Sequence, residues 1–83
     1  MKKLSSKDLV WETIDRKQTA ELPGHDGFYV SHILGGNYYY LDHKDDDSRG
    51  FLICRSTLMG IIRFVNRFEK LGFTLDEYRL YNK

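Results

Sequence analysis

The sequence predicts a small α+β domain in two layers, a three-stranded antiparallel meander packed by an amphipathic helix, with an N-terminal helix and a short C-terminal helix added. Three observations carry this. Leu58, Ile61, Ile62, Val65, Phe68 and Leu71 recur at helical spacing. Residues 28–34 and 37–42 switch to a period of two and flank Gly35-Gly36, a dipeptide suited to a tight hairpin. At 83 residues the chain has room for one hydrophobic core, so residues 1–83 are read as a single domain.

Ser5, with Asp8 three positions on, has the pattern of a helix N-cap and predicts a helix over about 6–17. Leu9, Val10, Thr13, Ile14 and Lys17 would share its inner stripe. The run Val10-Trp11-Glu12-Thr13-Ile14 also alternates and is β-branched, so a strand over 9–15 stays open as the alternative. Leu22-Pro23-Gly24-His25-Asp26-Gly27, holding the only proline, is a loop that ends this element.

The two strands of the hairpin follow, and a third run, Phe51-Leu52-Ile53-Cys54-Arg55, comes after the polar connection 43–50. With two central residues in the turn, Phe28, Val30, His32, Leu34, Tyr39 and Leu41 fall on one face. Tyr29, Ser31, Ile33, Tyr38, Tyr40 and Asp42 fall on the other. Ser56 or Thr57 caps the main helix, which runs to Leu71. Gly72 suits its left-handed terminus, and Phe73 folds back onto Phe68. Thr74-Leu75-Asp76-Glu77 is a capping box that opens the last helix, through about Tyr81.

Composition narrows the class of protein. Hydrophobic residues at 41% and charged residues at 30% describe a globular chain and not a disordered or membrane-spanning one. A net charge of +1 lacks the basic excess of a protein that grips duplex backbone non-specifically. The lone Cys54 excludes an internal disulfide. No apolar run follows Met1-Lys2-Lys3, so a cytoplasmic setting without membrane attachment is expected.

The motifs that carry chemistry are missing. His25, His32, His43 and Cys54 are too widely spaced for the paired ligands of a structural zinc site, and neither register of the aspartate run places a glutamate at the end of a calcium loop. No metal or cofactor is expected. Gly24-His25-Asp26-Gly27 has the outline of a loop that clamps RNA backbone, but it leads into a strand and has no lysine or arginine. No phosphate-binding glycine loop and no nucleophile elbow occur. Cys54, in an apolar strand, suits packing better than nucleophilic attack.

What remains are surfaces. If the main helix covers the face of Phe28, Val30 and Leu41, the other face presents Tyr29, Ile33, Tyr38 and Tyr40, unless a terminal helix covers it. Tyrosine supplies large contact area with a polar tip at low entropic cost. Beside it lie Asp42 and the run Asp45-Asp46-Asp47, which would form an anionic tip. The order of helix, three strands and helix resembles, in topology, the double-stranded-RNA-binding domain, and its strands-then-helix part resembles the arm-type DNA-binding domains of integrases. Ser56-Thr57-Leu58-Met59-Gly60 stands where the first would carry a basic cluster, and tyrosines stand where the second would carry basic residues, so no functional residue is carried over.

The expected function is a non-enzymatic protein-binding module using the tyrosine face and acidic loop. Its size and style are those of phage and mobile-element accessory proteins, including inhibitors of host defence nucleases. The alternative is nucleic-acid binding, with stacking tyrosines and Lys44, Arg49, Arg63, Arg67 and Lys70 near the backbone. A third reading is a small enzyme using His25, Asp26 and His32. An exposed edge strand could also pair two copies as a homodimer.

Overall fold

The computed structural model describes residues 3–81, with the side chains of residues 47–49 outside that description. Its elements are a 3-10 turn at Ser6–Asp8, strands β1 (Glu12–Ile14), β2 (Lys17–Glu21), β3 (Phe28–Ile33) and β4 (Tyr39–His43), a 3-10 segment at Lys44–Arg49, β5 (Ile53–Arg55), and helices α1 (Leu58–Lys70) and α2 (Leu75–Tyr81). The strands form one antiparallel sheet in the order β1-β2-β3-β4-β5. The α+β layering is as predicted, but the meander has five strands instead of three.

The added strands replace the expected N-terminal helix. The cap itself forms: Ser5 Oγ accepts from Lys7 N at 3.3 Å, and Ser5 N donates to Asp8 Oδ2 at 3.0 Å. It opens only a single 3-10 turn, Ser6–Asp8. Beyond it the chain makes a hairpin across Asp15-Arg16, with Ile14 opposite Lys17 and Asp15 at φ 58°. Of the strand alternative over 9–15, Glu12–Ile14 is the part realised. The physical reason lies in β2, which pairs with β3 over residues 17–21 and delivers Ala20 and Leu22 to the core. A helix through residue 17 would forfeit that ladder.

Register in the central hairpin follows the predicted parity, with Phe28 opposite His43, Val30 opposite Leu41 and His32 opposite Tyr39. The connection is longer than two residues. Gly36 N donates to Ile33 O at 2.8 Å with Gly35 at φ 84°, while Ile33 pairs with Lys17 of β2. Leu34, expected to face the helix, lies exposed in this turn.

α1 packs on the face carrying Ala20, Val30, Leu41 and Ile53, through Ile61, Ile62 and Val65. Val30, Leu41, Ile61 and Val65 are fully buried, each worth about 1.5–3 kcal/mol in surface removed from water. Thr57 Oγ1 accepts from Gly60 N at 3.0 Å and caps the helix. Leu71, expected on the apolar stripe, lies past the last turn and is 63% exposed. Phe73 N donates to Phe68 O at 3.2 Å, and the two rings lie 5.3 Å apart, as the sequence predicts. The Thr74 capping box also forms, with Glu77 N donating to Thr74 Oγ1 at 3.1 Å. α2 then packs on α1 through Tyr78, whose ring meets Phe64 and Phe68 edge-on.

The N-terminal segment is tied down by Asn66. Its Oδ1 accepts from Leu4 N and its Nδ2 donates to Leu4 O, both at 2.9 Å. This lays residues 3–4 along α1 and buries Leu4.

Candidate functional site

Cross-strand partners share a face, so the pairings define the side of the sheet turned away from α1 as three rows. The first runs Ile14, Lys17, Ile33, and the second Glu12, Thr19, Ser31, Tyr40, Cys54. The third is Glu21, Tyr29, Asp42. Among the described residues no helix packs on these rows, since α1 covers the other side and α2 sits on α1.

The face sets exposed apolar and aromatic side chains around a largely polar middle row, with mixed charge at its margin. Ile14 is 72% exposed and Ile33 46%, while Tyr29, Tyr40 and Cys54 are half-buried by their neighbours. Ser31 sits between Thr19 and Tyr40 and is almost fully covered by the surrounding side chains. Towards β2 the surface falls into a shallow depression of about 900 Å³ whose walls include Val10, Glu12, Lys17, Glu21 and Tyr29.

Phe51 belongs to this face, although the sequence analysis gave the third run no side of the sheet. Strict alternation would turn Phe51 inward with Ile53. Instead the chain bends at Leu52, both Leu52 and Ile53 pack against the core, and Phe51 lies 5.0 Å from the Tyr40 ring, 55% exposed. The only sequence signal was the pair of successive apolar residues after it, too bulky to sit on opposite sides of an edge strand with one side open.

Of the predicted contact residues, Tyr29, Ile33, Tyr40 and Asp42 share the open face. Tyr38 lies before β4, exposed, with its carbonyl 3.0 Å from His32 Nδ1. The acidic loop differs more. Asp46 turns inward, is buried, and forms a bidentate pair with Arg79 of α2. That hydrogen bond raises the pKa of Arg79 beyond its already high ordinary value. Asp45 is exposed; its backbone N–H donates to His43 Nδ1 at 3.1 Å. The expected anionic tip thus loses Asp46, whose charge is spent anchoring the loop to α2, and the side chain of Asp47 lies outside the description.

The residues of the nucleic-acid alternative do not form one surface. Arg63, Arg67 and Lys70 project from α1, in the layer on the other side of the sheet from Tyr29 and Tyr40. Lys44 is exposed beside the tyrosine-face depression, and the side chain of Arg49 is outside the description. The proposed catalytic trio is likewise divided. His25 and Asp26 precede β3, whereas His32 lies near its far end, stacked on Tyr39 at 4.0 Å. His25 Nε2 contacts Glu69 Oε1 at 2.5 Å, joining the β2–β3 loop to the end of α1. No cluster of metal-ligating side chains occurs among the described residues.

Comparison of the chain with protein-family models, curated proteins and solved structures finds no match. No helix among the described residues is long and apolar enough to cross a membrane.

Proposed function

We propose that this protein is a non-enzymatic binding module that docks a protein partner on the open sheet face, with Tyr29, Ile33, Tyr40 and Phe51 at the centre of the contact. The observation that carries this reading is the exposure of Ile14, Ile33 and Phe51 on the same side of the sheet as Tyr29 and Tyr40, a side that neither helix covers among the described residues. Aromatic centres with a charged margin are the composition of binding surfaces, and Glu12, Lys17, Glu21 and Asp42 supply that margin. A rigid sheet also presents these rings with little ordering left to do on association. Inhibition of a host defence nuclease by a phage accessory protein is the finer version of the proposal; it rests on size and style, and the identity of the partner decides it.

The test is photo-crosslinking in native lysate after nuclease treatment, with a photoreactive phenylalanine at Tyr40 or Phe51 and, as control, at Tyr81 on α2, exposed and away from the sheet face. A protein adduct formed from the two sheet positions, and lost when Tyr29→Ala is added, supports the reading. Adducts of equal yield from Tyr81, or none from the sheet face, refute it.

A further inference from the structure

The outer side of α1 carries a second feature that the sheet-face reading does not use. Arg63, Arg67 and Lys70 lie along about 10 Å of helix, and Asn66, between them, holds Leu4 so that Lys3 joins the same groove. None of these four cations forms an ion pair within the described residues. Glu69, the one carboxylate among the described residues that line the groove, is taken up by His25. The floor includes Leu71, 63% exposed and without a place in the core.

We propose that this groove docks an acidic protein segment that carries an apolar side chain between its carboxylates. Charge complementarity specifies the acid, because four uncompensated cations converge on one concavity. The apolar contact is specified by Leu71 and by the aliphatic stems of the arginines around it. Arg63 and Arg67 stand one turn apart, close to the spacing of alternate side chains on an extended strand, and their planar forks suit bidentate pairing with carboxylates. A nucleic acid fits less well. Duplex backbone is held by more phosphate contacts than four cations provide, a single strand is gripped on aromatic platforms, and no aromatic residue among those described lines this groove.

The experiment is fluorescence anisotropy with the intact protein and three labelled probes: a short peptide of repeating Glu-Glu-Leu, the same peptide with Ser for Leu, and a short DNA duplex. The Leu-containing peptide is expected to bind most tightly and to lose at least about tenfold in affinity in Arg63→Glu/Arg67→Glu, whose positions are exposed, with a further loss as salt rises. Leu71→Ser is expected to erase the preference for the Leu peptide over the Ser peptide. Tyr40→Ala/Phe51→Ala, on the other layer, is expected to leave binding unchanged. No peptide binding, binding that survives the charge reversal, or a duplex bound as tightly as the Leu peptide would each overturn the proposal.

Discussion

Gly27 is where the backbone and a buried side chain make the most specific demand on one residue. It adopts φ 83°, and a Cβ added there would stand against the His43 ring, with Cε1 at 2.8 Å and Cδ2 at 3.1 Å. His43 is itself held on two sides, edge-on to Phe28 at 4.6 Å and by the Asp45 N–H at Nδ1. Gly27→Ala therefore has two costs. The left-handed backbone costs an L-residue about 1–2 kcal/mol. Displacing His43 forfeits the ring contact, about 0.5–1.5 kcal/mol, and the hydrogen bond, about 0.5–1.5 kcal/mol. The sum is about 2–5 kcal/mol against a total stability of roughly 4–12 kcal/mol for 83 residues. Gly24→Ala isolates the first cost, because Gly24 has φ 81° with nothing within 4 Å of the added Cβ. Urea unfolding followed through Trp11, the only tryptophan, measures both variants, and His43→Ala closes a double-mutant cycle with Gly27→Ala. The expected coupling is about 1–3 kcal/mol, the part of the penalty that disappears once the imidazole is gone. A Gly27→Ala penalty equal to that of Gly24→Ala, or a coupling below about 0.5 kcal/mol, would refute the steric account.

Three further expectations follow from the packing. Asn66→Ala strands the Leu4 N–H and C=O, so it should cost about 1–3 kcal/mol and accelerate amide exchange at Leu4 well beyond that at Val65. Ile61→Ala, at a fully buried site, should cost about 2–5 kcal/mol in urea unfolding, whereas Leu71→Ala should stay within about 0.5 kcal/mol; equal penalties would show that Leu71 belongs to the core. Arg79→Met leaves the Asp46 carboxylate buried without its bidentate partner, so it should lower Tm more than the double variant Asp46→Asn/Arg79→Met, and the reverse order would show the pair to be dispensable.

Much of the C-terminal half could be read directly, because its signals are local. Thr57, the spacing of Ile61, Ile62 and Val65, and the Thr74–Glu77 box each act within one or two helical turns, and each is realised where the residues stand. The face assignment of Tyr29, Ile33, Tyr40 and Asp42 was equally legible, since strand parity depends only on counting residues across the turn. Leu34 was misplaced because a lengthened turn interrupts that count, and the side taken by Phe51 depends on a bend at Leu52 that no count foresees.

The sequence by itself determined the layering, the amphipathic helix and the side of the sheet on which the tyrosines lie, all consequences of periodicities intrinsic to the chain. The tertiary structure alone decided the rest. Whether residues 9–17 coil or extend was settled by the partner strand: a capped 3-10 turn forms where Ser5 and Asp8 dictate it, and then yields to the β2–β3 ladder. Which aspartate faces solvent was settled by Arg79, which lies 33 residues away in sequence and draws Asp46 inward. Pairing between distant segments outweighs local preference because each ladder or buried ion pair satisfies groups that would otherwise be desolvated alone.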